Sequence, residues 1–265
     1  SASYESLVPV SYYSTAITET HYFILYSYYH GWDRGHPNDL EGCLIILKKN
    51  DKSPILQGII TVAHYGFFPY AARDESSIKK RKHGPYVFFE TDDDGRHVII
   101  QQSKGKHALY GLGQNIGNWE KFLRWARAVS GRPENIIVYY PGEILDLTSK
   151  ENIMRFRNTP HYVQFYYKLI DIHDKQDGLY PRYEDAIKNN GNETFTEYGE
   201  FHNSKSSYTK AEGPWLWQPK LYADLKDRIQ KGEMWENPAS VANKMFTIKG
   251  EFSQAYKKTM AKQHS

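Results

Sequence analysis

Residues 33 to 41, DRGHPNDLE, place Asp33, His36, Asp39 and Glu41 within nine positions. Three carboxylates and one imidazole are mostly hard oxygen donors, which suit Mg²⁺ or Ca²⁺ best; the imidazole keeps Mn²⁺, Zn²⁺ or Fe²⁺ compatible. Four side chains leave water positions on an octahedral ion, and a substrate oxygen could take them. On a strand running from Asp39 through Leu47, Asp39 and Glu41 are two residues apart and share a face. Asp33 and His36 then sit upstream, in a Gly- and Pro-containing loop able to fold back over that face. The competing reading is a turn with solvated carboxylates, since Pro37-Asn38 suits a turn. Burial decides between them, because carboxylates kept from water without a cation repel one another.

The elements that must position these residues are strands. HYFILYSYY, CLIILKK, GIITVAHYGFF, YVFFET, RHVIIQQS, HALYG and NIIVYY are bounded by turn-forming clusters such as KKNDKSP and TDDDGR. That rhythm predicts a mainly β fold, an antiparallel β-sandwich with a few helices and an elaborated C-terminal region. Residues 1–173 are expected to form the sandwich core carrying the motif. Residues 174–265 are expected to be a loop and helix elaboration packed on it, the two making one compact domain. Asn118 caps a predicted helix, WEKFLRWARAVSG, and the TSKE box at Thr148 starts another. Strand character returns at 161–172, and short helical pieces are expected at 221–231 and 238–245. Trp215, Trp217, Trp235 and Phe246 need burial against the core.

Composition narrows the function classes. With 34 Lys and Arg against 31 Asp and Glu, the surplus of +3 predicts no specific nucleic-acid partner. The basic run KKRKH at 79–83 reads first as a solvated loop and second as contact with an anionic surface. The 22 Tyr, 12 Phe and 6 Trp favour strands and binding surfaces. The single cysteine, Cys43, lies in an aliphatic run and reads as a buried small hydrophobe. No segment approaches the roughly 20 apolar residues of a membrane-spanning helix. The start at Ser1 without Met fits either a processed secreted form or a tag remnant.

The stretch YSYYHGWDRGHPNDLEGCLII resembles the signature region of the necrosis- and ethylene-inducing-like proteins, secreted cytolysins whose heptapeptide reads G-H-R-H-D-W-E at the edge of a β-sandwich. It is also similar to the related vacuolar protein sorting-associated group. Gly35, His36, Asp39 and Glu41 match the first, second, fifth and seventh places of that heptapeptide, and Asp33 matches the acidic residue completing the cytolysin metal site. The resemblance implies a divalent cation held by Asp33, His36, Asp39 and Glu41, and a secreted or periplasmic location. TVAHYG and GKHALY resemble two further segments and so imply His64 and His107 near the cleft. The likeness covers roughly residues 20 to 112. Asn38 stands for the second His of the heptapeptide and Leu40 for its Trp, and one cysteine excludes the family's disulfide. Fold and metal therefore carry over better than toxicity.

Three function classes follow. In the first, the cation binds a glycosylated or phosphate-bearing small molecule or lipid headgroup, a binding or lytic role compatible with peripheral membrane contact. In the second, a metal-dependent hydrolase of phosphodiester or ester bonds uses His64 and His107 as general acid and base. In the third, the carboxylates cap a turn in an interaction module. Asp92 to Asp94 before Gly95 read as a hairpin turn. Asn192-Glu193-Thr194 is a glycosylation acceptor only in a eukaryotic secretory route. Trp215 and Trp217 would share one face of a strand, as core or as a sugar-stacking platform.

Overall fold

The computed structural model describes residues 10–33, 36–63, 66–71, 98, 100–102, 107, 109–111, 137–141, 163–179, 213–219, 228–246 and 252–260; for 31–33, 36–39, 63, 101, 110–111, 137–141 and 163–167 it gives the backbone path. The helices expected from 118 and 148, the strand expected at 86–91, the basic run 79–83, the turn at 92–95 and the acceptor at 192 lie outside the described residues.

Five strands follow one another: β1 (Val10–Thr18), β2 (His21–Asp33), β3 (His36–Lys48), β4 (Ile55–Ala63) and β5 (Gly66–Ala71). Later come β6 (Ile100–Gln102), β7 (Leu109–Gly111), β8 (Ile137–Pro141), β9 (Val163–Asp171) and β10 (Tyr256–Lys258). The main sheet runs β5-β4-β3-β2-β1-β9-β8, with β10 on the end of β1, while β6 and β7 form a separate hairpin. The chain is mainly β, as its sequence predicts, but the sheet is mixed rather than antiparallel throughout. β9 runs parallel to both β1 and β8.

β2 shows why the sheet forms. His21, Phe23, Leu25 and Ser27 are buried, while Tyr22, Ile24, Tyr26 and Tyr28 between them are half-buried. The two-residue period thus sorts aliphatic and aromatic side chains onto one fully covered face. β3 is covered on both faces between Leu40 and Leu44, so its sequence reads as a continuous apolar run. One cover is the β6–β7 hairpin: Leu109 joins Cys43, Ile59 and Tyr70, with Ile100 and Val98 packed at the side. Burial alone raises the Cys43 thiol far above its ordinary pKa, consistent with an inert core position.

The other cover comes from the C-terminal residues. Trp217, Met234, Trp235, Val241, Met245, Phe246 and Phe252 belong to the same cluster as Phe23, Leu25, Leu44 and Ile60. Two strand glycines give the aromatics room. A Cβ at Gly42 would meet Trp217 Cη2 at 2.2 Å, and one at Gly58 would meet Phe246 Cζ at 2.9 Å. Residues 228 to 231, within the helical piece expected at 221–231, are turn or irregular backbone, and 221–227 lie outside the described residues.

Two short helices hold this cover, α1 (Glu233–Glu236) and α2 (Pro238–Met245). Asn237 caps α2, its Oδ1 accepting from Ser240 N at 3.0 Å, with Pro238 in the first turn where its missing N–H does no harm. Tyr256 of β10 donates to Asn237 Oδ1 at 2.7 Å and accepts from Ala239 N at 3.0 Å; burial pushes its phenol up to about 12. Glu233 accepts from Gln230 N at 2.8 Å, Ser240 Oγ at 2.7 Å and Lys244 Nζ. Burial opposes its charge, but these three donors outweigh it and hold its carboxyl below the ordinary range.

A folded pKa below the unfolded one means stability that is present above the unfolded value, near 4.5, and lost as pH falls through the folded one. Glu233→Gln therefore costs about 1–2 kcal/mol at pH 7, allowing for solvent screening. Urea titrations at pH 7 and at stepwise lower pH should show the gap between the two proteins closing below about pH 4.5. A gap unchanged by acid would mean that Glu233 is not held by its charge.

Candidate functional site

β2 and β3 form one long antiparallel ladder. Its pairs run without a register shift to Tyr28 opposite Glu41, His30 opposite Asp39, Trp32 opposite Pro37 and Asp33 opposite His36. This corrects the expected loop. Asp33 and His36 are the last pair of a tight hairpin, with Arg34 and Gly35 between them outside the described residues. Pro37 is tolerated because, among the described residues, β3 pairs only with β2 there; β4 joins at Cys43.

An unbroken ladder alternates faces. Positions 39 and 41 fall on the face of positions 28 and 30, and positions 33 and 36 fall on the other. An ion shared by all four would therefore have to sit at the turn end of the hairpin, where the two faces come together. The side chains of Asp33, His36 and Asp39 lie outside the described residues, as does His64 at the β4–β5 connection. Glu41 is described and is 6% exposed, on the side covered by β6 and β7. Among the described residues, no group of three or more His, Cys, Asp or Glu is placed to hold a metal ion.

Two groups beside the carboxylates went unrecognised in the sequence. The His30 ring stacks on that of His107, with centroids 3.9 Å apart and planes 11° from parallel, and its Nε2 lies 2.7 Å from the side-chain Nε2 of Gln102. An amide nitrogen can only donate, so in this orientation His30 Nε2 accepts and the neutral ring carries its proton on Nδ1. Burial first, and His107 second, hold His30 well below the ordinary imidazole pKa, which keeps it neutral at pH 7. His107 itself has φ 52, the left-handed region, and is the only non-glycine there among the described residues. The resemblance implied His107 near the cleft; in the structure its ring stacks on His30 of β2. The signal for His30 was its place two residues beyond Tyr28 on the half-open face of β2.

His21 provides a contrast. It is fully buried, and its Nε2 and Nδ1 lie 2.6 Å from Gln57 Oε1 and 2.7 Å from Thr20 Oγ1. Both nitrogens are used in packing the sheet, which leaves no chemistry to perform. Trp215 and Trp217 follow the core reading and not the sugar-platform alternative. Pro214–Leu216 is a 3₁₀ turn, Trp217 is buried against Gly42, and Trp215 meets Trp235 edge-on at 5.6 Å.

No family model matches the sequence, and no curated protein matches it. Two solved structures match. The non-toxic HaNLP3 protein has a TM-score of 0.30 and 20% identity, over 41% of this chain and 47% of its own. Necrosis and ethylene inducing protein 2, from the causal agent of cocoa's witches' broom disease, has a TM-score of 0.28 and 22% identity, over 45% and 55%. The likeness is distant and partial. The chain spans about half the length of these two proteins, and neither bears on the resemblance to the vacuolar sorting-associated group.

Proposed function

We propose that the β2–β3 hairpin end holds a divalent cation, Mg²⁺ or Ca²⁺ in preference to Mn²⁺ or Zn²⁺, and that the cation binds hydroxyl or phosphate oxygens of a glycosylated or phosphate-bearing small molecule or lipid headgroup. The observation that carries the proposal is the burial of Glu41, 6% exposed, two residues from Asp39 on one strand and directly beside the His30 and Asp39 pair. Two carboxylates two residues apart on one strand face repel each other, and a divalent cation between them relieves that repulsion. Asp39 and Glu41 anchor the ion in this reading, and Asp33 and His36 reach it from the hairpin tip. Neutral His30 and Gln102 supply a donor and acceptor pair for the ligand's polar groups.

The test uses calorimetry and elemental content. Wild-type protein should bind one cation and be stabilised by it, by about 2.7 kcal/mol at a hundred times the Kd. Asp39→Asn and Glu41→Gln, close in shape to the originals, should each weaken binding at least tenfold, about 1.4 kcal/mol. A wild-type protein indifferent to chelator sinks the proposal.

A second reading, hydrolysis of a phosphodiester or ester bond, rests on the stacked pair of His30 and His107. A neutral imidazole could take a proton from cation-bound water. Turnover that is lost in His107→Asn while cation binding survives would favour this reading, whereas binding without turnover favours the first.

A further inference from the structure

The turn from β3 to β4 holds two groups able to react with each other. Lys49 is tied down at its start, the N–H donating to the Thr20 carbonyl at 2.8 Å and the ammonium to the Thr18 carbonyl. Asn50, Asp51, Lys52 and Ser53 then cross in irregular backbone, all of them exposed. Asn50 folds its side chain back along the chain, so that Oδ1 accepts from the Asp51 N–H at 2.8 Å. Cγ is bonded to Oδ1, and the same contact therefore brings the side-chain carbonyl carbon beside the next backbone nitrogen.

The other described asparagine side chains are barred from this arrangement. Asn237 precedes Pro238, which has no N–H to give up, and its Oδ1 is held by Ser240 N and Tyr256 Oη. Asn243 lies within α2 and donates Nδ2 to the Phe252 carbonyl at 2.8 Å, while the N–H of Lys244 after it belongs to the helical ladder. At Asn50 no strand or helix has to break.

We propose that Asn50 is a deamidation site built into the β3–β4 turn. Asp51 N, having lost its proton to a base in solvent, attacks Asn50 Cγ. The N–Cγ bond forms, the Cγ–Nδ2 bond breaks, and Nδ2 leaves as ammonia with a proton taken from water. The product is a cyclic imide. One water adding to either of its carbonyls opens it to an aspartate or, with the chain rerouted through Cβ, to an isoaspartate. Lys49 and Lys52 flank the pair in sequence and favour the anion formed at Cγ, against the single opposing carboxylate of Asp51. The net charge of +3 falls by one to +2. An isoaspartate also inserts a methylene into the main chain directly after Lys49. The cation centre is not involved, since this turn follows the His21–Lys48 end of the β2–β3 ladder and the hairpin tip is at the Asp33–His36 end.

Incubating the full chain at 37 °C and pH 8, followed by chymotryptic digestion and mass spectrometry of the peptide from Lys48 to Leu56, tests the proposal. That peptide should gain the mass of an amide-to-acid change and become a substrate for isoaspartyl methyltransferase. Accumulation should rise with pH, because the attacking nitrogen must lose its proton. Asn50→Gln should abolish the gain, since a longer side chain must close a larger ring, and Asp51→Gly should speed it by clearing the approach to the nitrogen. Peptides bearing Asn237 and Asn243 should stay unchanged over the same interval. The folded protein should react at least as fast as a synthetic peptide of residues 48–56, because the turn already holds the two groups together. A folded chain in which Asn50 outlasts the same residue in the peptide would overturn the proposal, as would a mass gain that persists in Asn50→Gln.

Discussion

Gly42→Ala lowers the free energy of unfolding by about 2–3 kcal/mol, read as a shift of the urea midpoint at constant slope. The new methyl group would lie 2.2 Å from Trp217 Cη2, 2.6 Å from Cζ3 and 2.8 Å from the Tyr26 carbonyl oxygen. The indole is rigid and pinned in the core, and the carbonyl belongs to the neighbouring strand, so neither gives way cheaply. Trp217→Ala alone costs about 3–5 kcal/mol, through lost burial and the cavity left behind. In that background most of the Gly42→Ala penalty should vanish, leaving the part due to the Tyr26 carbonyl. A double-mutant cycle measures this as a coupling of more than about 1 kcal/mol. Additive effects would mean that the indole does not sit on Gly42.

The same pair shows what could be read from the sequence and what could not. Apolar and aromatic runs announced β2, β3, β9 and, as one continuous run, β4 with β5, and the helical piece expected at 238–245 is α2, because each signal is local; β1 was not among the runs. The need to bury Trp217, Trp235 and Phe246 was also legible. Their seats on Gly42 and Gly58 were not, since those glycines lie some 175 and 188 positions away by subtraction of residue numbers. The parallel pairing of β1 with β9 escaped for the same reason. At the hairpin, Gly31, Gly35 and Pro37 argued for a loop, yet pairing with β2 overrode these weak local preferences and carried the ladder to Asp33 and His36. Asp39 and Glu41 sharing a face followed from spacing alone. The other half of the site, His30 stacked on His107 beside Gln102, depends on a hairpin folding over the sheet from 70 or more residues downstream. A histidine inside a tyrosine run carries no mark of that.

Trp235→Ala costs about 3–5 kcal/mol, a large share of the roughly 5–15 kcal/mol that holds a typical domain. Trp235 is buried among Met234, Trp217 and the sheet residues of the main cluster. Its ring meets Trp215 at 5.6 Å and 74°, and His173, in the turn after β9, at 5.6 Å and 52°. His173 Nε2 in turn donates to the Met260 carbonyl at 2.6 Å, so one indole joins the 3₁₀ turn, the end of β9 and the last described residues. If these elements share one core with Phe23 and Leu44, the variant should still unfold in one transition, only at lower urea. Far-UV circular dichroism, which reports the sheet, and tryptophan fluorescence, to which Trp215 and Trp217 of the C-terminal residues contribute, should move together. The exposed neighbour Glu236→Ala should stay within about 0.5 kcal/mol of wild type. Two separated transitions in Trp235→Ala would instead make the C-terminal residues a detachable layer. The glycine seats would then lose their meaning, because Trp217 and Phe246 could leave Gly42 and Gly58 while the sheet remained intact.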